Sequence, residues 1–394
     1  MRWKDISKMR KRMDIKNIFL LFGMIATQAA CAAEPAAKDD GLIFDVPRLE
    51  TTTGPSMLDN PTADRGGELI GLCDKLEVYC SGVCLSTVGE PSGNCTLLQN
   101  NIGRAGSIAV DATNLYYTAM QSEILKMDLQ TMAHQSLITG LSNPTVLYPT
   151  SGLLYFGNNP TSGEDVTIAS DIRVLFVGRS DVTVITENIG MVFGIFLSGD
   201  TLLFGGGVGS FPKGPLYSVS NKGGRWDKFS APEILHLEVL GDTAYFSMNT
   251  DTESGIYTSS LSSPNSYSQV ATGDITGTPI SNFFITLDSA YWFASKATNT
   301  ARVYTKVALA GGGQKQELGS AGSGILLAHN DMYVFYADTT STGSNIMMMP
   351  INGGAATILG SYEPNEIRFA VADTSHLYVS LGYARTGGIL RFDF

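Results

Sequence analysis

Along most of the chain, apolar residues come in short alternating runs separated by Gly, Asp, Asn and Ser. That period-2 pattern is the signature of half-buried β-strands joined by tight turns. Seven times a run reaches a doublet built on an aromatic or large aliphatic residue: Tyr116-Tyr117, Tyr155-Phe156, Leu203-Phe204, Tyr245-Phe246, Tyr291-Trp292, Tyr333-Val334 and Tyr378-Val379. The doublets recur at intervals of 39 to 48 residues. A repeat of that length, filled with strand formers and lacking a helical period, matches one four-stranded propeller blade. The expected fold class is all-β, a seven-bladed β-propeller over residues 96–394.

The first unit fits Ser107–Gly140, with Ile108-Ala109-Val110 as inner strand, a turn at Asp111–Asn114 and Leu115-Tyr116-Tyr117-Thr118 as second strand. Glu123–Asp128 and His134–Thr139 supply the third and fourth. The seventh unit starts near Pro364 and stops at Phe394, with room for three strands only. Thr96-Leu97-Leu98-Gln99-Asn100 stands just ahead of the first inner strand, where every other unit has its fourth strand. Residues 96–100 are therefore predicted to complete the last blade, which closes the ring and removes an open sheet edge.

The segments before the repeats read differently. Basic residues from Arg2 to Lys16 precede the apolar run Ile18–Ala26 and the small residues Ala29-Ala30, so residues 1–30 read as an export signal. The run is too short to span a bilayer, and Met13 is an alternative start giving a more compact signal. Ala29-Ala30-Cys31-Ala32 resembles a bacterial lipobox, with Gln28 in place of the usual Leu. That resemblance implies lipid attachment at Cys31 and a membrane as partner; ordinary cleavage near Ala32 or Ala33 is the alternative. Residues 31–71, punctuated by Pro35, Pro47, Pro55 and Pro61, read as a tether. Residues 72–95 hold Cys73, Cys80, Cys84 and Cys95. Four cysteines in an exported chain, without a Cys-x-x-Cys knuckle, favour two disulfides over a zinc site.

The stretch Cys80-Ser81-Gly82-Val83-Cys84, followed by Pro91 and Asn94-Cys95, resembles a truncated stigma-specific-type cysteine motif of secreted myxobacterial-type proteins. It implies a surface protein and no particular activity. The repeats themselves, as in Val110-Asp111-Ala112-Thr113-Asn114-Leu115-Tyr116 and Ala372-Asp373-Thr374-Ser375-His376-Leu377-Tyr378, resemble TolB-like and virginiamycin-lyase-like propeller repeats. Those groups range from protein docking to lyase chemistry, so the resemblance implies a fold and leaves the activity open.

Charge narrows the partners. The formal net charge is −11. Removing residues 1–30 takes away seven basic and two acidic residues and leaves 19 basic and 35 acidic, or −16. So acidic a surface repels phosphate backbones and argues against nucleic acid as a partner. No Gly-x-Ser-x-Gly elbow, His-Glu-x-x-His pair or phosphate loop is present, and no cofactor or metal is expected. Gly205–Gly209 reads as a hairpin turn, and Asn249–Gly255 imitates a calcium loop without a distal Glu. Counting back from each doublet places Arg104, Glu233 and Glu366 at a channel mouth, with Glu187, Asp274 and Glu363 nearby. His236, close to Glu233, is the histidine best placed for chemistry there; His134, His329 and His376 read as structural. The expected role is a non-catalytic binding or scaffolding module at the cell envelope, with an unidentified protein or glycan partner. A propeller lyase or hydrolase using His236 and Glu233 is one alternative, and a surface protein without a small ligand is another.

Overall fold

The computed structural model describes residues 78–394 apart from 81–82, 90, 104–105, 160–169, 180, 208–213, 230–232, 250–253, 264–265, 273–279, 281, 296–301, 311–312, 323, 341–342, 363–366 and 383–386. The export signal, the tether, Cys31 and Cys73 lie outside the described residues, as does most of the calcium-like loop. A short hairpin, β1 (Val78–Cys80) and β2 (Val83–Leu85), leads to β3 (Pro91–Ser92) and β4 (Cys95–Asn100). Blade 1 is β5 (Ile108–Val110), β6 (Asn114–Ala119), β7 (Glu123–Asp128) and β8 (His134–Ile138); blade 2 is β9 (Pro144–Thr150), β10 (Leu153–Asn158), β11 (Asp171–Phe176) and β12 (Val182–Glu187). Blade 3 is β13 (Met191–Ser198), β14 (Thr201–Gly207), β15 (Leu216–Ser220) and β16 (Asp227–Lys228). Blade 4 is β17 (Ile234–Leu240), β18 (Thr243–Asn249), β19 (Ser254–Ser260) and β20 (Ser268–Thr272). Blade 5 is β21 (Phe283–Ile285), β22 (Ser289–Ser295), β23 (Arg302–Ala308) and β24 (Gln316–Ala321). Blade 6 is β25 (Ile325–His329), β26 (Tyr333–Thr340), β27 (Gly343–Pro350) and β28 (Thr357–Tyr362). Blade 7 opens with β29 (Ile367–Ala372), β30 (His376–Leu381) and β31 (Gly388–Asp393).

The seven-bladed all-β propeller and its closure are as the repeats predict. Blade 7 has the strand order β29-β30-β31-β4-β3, so the amino-terminal strand fills its fourth position. The closing strand starts at Cys95, one residue earlier than predicted, and β3 adds a fifth strand that covers its outer edge. A detail of register identifies β4 as a true copy of the repeat's fourth strand. In five of the other six blades, one apolar residue of the fourth strand is bulged out of its ladder with the third: Leu137, Ile185, Val270, Leu318 and Leu359. In blade 3 the two strands pair through two residues without a bulge. In β4 the bulged residue is Leu98, which is fully buried.

The doublets have a simple physical origin. Successive residues of a strand face opposite sides of its sheet. In a ring of blades each side faces a different neighbour. Tyr116 packs with Leu147 and Phe156 of blade 2, whereas Tyr117 packs with Tyr378 of blade 7. Tyr155 and Phe156 divide in the same way between blades 3 and 1. The buried core is accordingly seven clusters, one between each pair of adjacent blades among the described residues. Blade 6 departs from the sequence reading. Its second strand begins at Tyr333, so the third and fourth strand positions, which hold the doublet in every other blade, are Phe335 toward blade 7 and Tyr336 toward blade 5. The doublet there is Phe335-Tyr336 rather than Tyr333-Val334, which evens the last two repeat intervals.

Gly205, Gly206 and Gly207 also differ from expectation, since they end strand β14 instead of forming a turn. The reason is crowding: a Cβ on Gly205 would run into the ring of Phe193 from the neighbouring inner strand. A disulfide joins Cys80 to Cys95 with Cα atoms 6.6 Å apart, and Cys84 is disulfide-bonded as well. Cys80 and Cys95 are fully buried in the cluster between blades 6 and 7. Closing a loop of 15 residues removes unfolded-chain entropy equivalent to about 3 kcal/mol, so the crosslink reinforces the ring at its seam.

If β4 is an integral fourth strand, Leu98→Ala and Leu359→Ala will destabilise the protein to a similar degree, by about 2–5 kcal/mol each. Chemical denaturation midpoints measure this. A Leu98→Ala protein as stable as wild type would mean that β4 merely rests on the blade.

Candidate functional site: the central channel

Among the described residues, the innermost strand of each blade has no strand on its axial side, so solvent exposure of its side chains is to the channel or its mouth. Ile325 of β25 is 51% exposed and Phe369 of β29 is 43% exposed. Tyr148 of β9, Phe196 of β13 and His236 and Glu238 of β17 are half-buried. The channel or its mouth is therefore wetted at these positions and carries two kinds of wall, one apolar and one titratable.

The titratable wall belongs to blades 4 to 6. In β17 the sequence Ile234-Leu-His-Leu-Glu-Val-Leu240 alternates apolar and polar residues. A bulge at Leu235 sets the register, so that His236 pairs with Ser247 and Glu238 with Tyr245. These four residues share the face turned toward blade 5. His236 Nε2 donates to Glu238 Oε1 at 3.2 Å, and the imidazole meets the Phe283 ring edge-on with centroids 5.0 Å apart. One blade further, Phe284 carries the imidazole of His329 face to face, with centroids 4.1 Å apart and planes 14° apart. Burial lowers the pKa of His329, the Glu238 carboxylate partly opposes that shift, and His236 adds to it. His236, Glu238 and His329 thus share one electrostatic neighbourhood. They do not form a metal-binding group, and none exists among the described residues.

The predicted mouth residues fare unequally. Arg104, Asp274, Glu363 and Glu366 lie outside the described residues. Glu233 is exposed immediately before β17. Glu187 ends β12, the outermost strand of blade 2, opposite Asp171. It borders a groove of about 370 Å³ between blades 2 and 3, with Thr186, Arg225 and Trp226 on the walls. That position is three strands out from the channel, at the end of the fourth strand just before the connection to β13. Glu238 and His329 were missed by the count. The signal available for Glu238 was polar residues at alternate positions of one otherwise apolar inner strand.

The other histidines support structure. His134 Nδ1 shares a hydrogen bond with the Tyr117 hydroxyl at 2.9 Å, and burial lowers its pKa. His376 belongs to a turn motif shared by blades 1 and 7. Asp111 Oδ1 accepts from the Thr113 and Asn114 amides, and Asp111 Oδ2 accepts from the Tyr116 hydroxyl at 2.8 Å. Asp373 repeats the arrangement with the Ser375 and His376 amides and the Tyr378 hydroxyl at 2.9 Å. Burial works against ionisation of both carboxyls, but these hydrogen bonds outweigh it and their pKa values are lowered.

No family model matches the chain, and no curated protein matches it. A chain from a structural and mechanistic analysis of two prolyl endopeptidases superposes on 74% of this one and 47% of its own length, at a TM-score of 0.51 and 15% identity. A computationally designed protein, Ika8, covers 76% of this chain and 98% of its own at a TM-score of 0.49 and 12% identity. A chain of a nidogen/laminin complex covers 64% of this chain and 94% of its own at a TM-score of 0.42 and 11% identity. At such identities the endopeptidase likeness bears on the fold alone, and the two lower scores add nothing to it.

Because burial lowers the pKa of His134 and His329, each binds fewer protons in the native state than in the unfolded chain. Their contribution to stability is complete above the unfolded value near 6.5 and is lost as pH falls below it toward the depressed folded values. The melting temperature will therefore drop on acidification from pH 7.5 to 5. His329→Phe, which keeps the ring stack on Phe284, will show a shallower drop. An identical pH profile in the variant would refute the role of His329.

Proposed function

We propose that this protein is an exported, lipid-tethered β-propeller that works as a non-catalytic binding module at the cell envelope, with its ligand site in the central channel. The observation that carries this reading is the exposure of inner-strand side chains of two chemistries, apolar at Ile325 and Phe369 and titratable at His236 and Glu238. Rigid blades fix such groups in space, which suits recognition because little ordering entropy remains to be lost on binding. The turn wording at Asp111–Tyr116 and Asp373–Tyr378 supports kinship with TolB-like and virginiamycin-lyase-like propellers, of which the docking role is the one adopted here. The lipobox-like Ala29-Ala30-Cys31 supports attachment at Cys31 and hence a place at the envelope.

A second reading, a propeller lyase or hydrolase, is favoured by one observation. His236 is oriented by a carboxylate within hydrogen-bond distance, as a general base would be, although the partner is Glu238. The two readings separate experimentally. Under the binding reading, the immobilised protein retains a stoichiometric partner from an envelope extract, and that partner is released chemically unchanged. Turnover of the retained molecule that vanishes in His236→Gln would overturn it.

The anchor has its own test. Growth with a radiolabelled fatty acid will tag the wild-type protein and leave Cys31→Ser unlabelled. Equal labelling of the two would remove the lipid tether from the proposal.

A further inference from the structure

One level of the channel has a composition unlike the others. The inner-strand residues that pair with the first member of each doublet are Ala109, Tyr148, Phe196, Glu238, Phe284, Ala328 and Val371 in blades 1 to 7. Blades 2, 3 and 4 thus place Tyr148, Phe196 and Glu238 side by side, whereas blades 1, 6 and 7 place Ala109, Ala328 and Val371 opposite. Small residues on one half and large ones on the other shift the free volume of the channel toward the small ones, where the tips of the large side chains border it. We infer that this level is a binding site for a small organic cation, an ammonium group held by the Glu238 carboxylate and the aromatic faces of Phe196 and Tyr148. The inference rests on the channel being the ligand site of a binding module.

Three further observations support it. Glu238 Oε1 accepts from His236, and no hydrogen bond to its second oxygen occurs among the described residues. A half-buried carboxylate with an unused acceptor is matched best by a cationic donor. Phe196 and Tyr148 lie with ring centroids 5.8 Å apart and planes tilted by 56°, so their faces form an open angle and not a closed stack. Such faces attract a cation through their quadrupoles, and the attraction grows where water is partly excluded. Ser247, the cross-strand partner of His236, is fully buried with a hydroxyl that has no partner, which leaves an unsatisfied polar group on the face that carries Glu238. The ligand's sign also agrees with the field of the whole chain. A net charge of −11 draws cations toward a channel of low-dielectric walls and repels anions.

The inference is tested by titrating butylammonium chloride into the folded full-length protein by isothermal calorimetry, against sodium chloride at equal ionic strength. Saturable binding above the sodium control is expected. Glu238→Gln should weaken it by about tenfold or more, the range for a hydrogen bond to a charged group. Phe196→Leu should weaken it by roughly threefold or more. Absence of saturable binding, or an affinity unchanged in Glu238→Gln, would overturn the site. Should Glu238→Gln fail to fold, as judged by its melting curve, Phe196→Leu decides alone, and an unchanged affinity there is the negative result. If butylammonium does not bind while the immobilised wild-type protein still retains a partner from envelope extract, only the cation site falls and the binding-module reading stands.

Discussion

The pairing of β31 with β4 is the interaction on which the rest of the molecule depends. A propeller has no single core. Its apolar surface is divided among clusters between neighbouring blades, and each blade is wetted on one side unless the next is present. The cluster joining blades 7 and 1 contains Leu98 and Ile102 from the amino-terminal segment together with Tyr117, Tyr378 and Ile389. Without β4 that cluster loses part of its content, β31 becomes an open edge, and the two ends of the arc are free to part. The buried Cys80–Cys95 crosslink and the fifth strand β3 sit at this seam, where an opening would otherwise start.

Closure in turn fixes the channel. Seven inner strands held at constant spacing set which side chains share a level, and a bulge within the inner strands of blades 2, 3, 4, 6 and 7 sets which way theirs face. His236 and Glu238 meet because the bulge at Leu235 shifts β17 by one residue against β18. Without it His236 would turn toward blade 3, into the cluster that holds Leu203 and Phe246. The same holds for His329, whose ring is presented by Phe284 of the neighbouring blade. The channel's chemistry is thus assembled from residues far apart in the chain and is only as well defined as the ring.

Much of this was legible beforehand. The doublets announce the blades because one residue of each faces each neighbour, and the missing fourth strand of the last unit points to residues 96–100. The turn at Asp111–Asn114 was visible as well, with its carboxylate capping two amides. What escaped was register within strands. Tyr333-Val334 looked like a doublet because an aromatic precedes an aliphatic, yet the other doublets stand third and fourth in their strands, and in β26 those places are held by Phe335-Tyr336. Bulges leave no mark in an apolar run, so Glu238 and His329 could not be assigned to the channel by counting, and Glu187 was drawn inward from its rim position. Gly205–Gly207 looked like a turn because the ring that requires their smallness, Phe193, belongs to another strand.

The closing contact also has an order in time. Asn94 hydrogen-bonds to Asp393 across 299 residues of chain, so the first blade strand to be synthesised is among the last to find its place. Every other blade is a local meander that can form as it is made, whereas the seventh has to wait for β31. A chain that stops short of β31 leaves β4 without a partner and an arc with two sticky ends. Joining β4 to β31 therefore acts as a checkpoint: only a polypeptide that already carries all seven blades can become a ring.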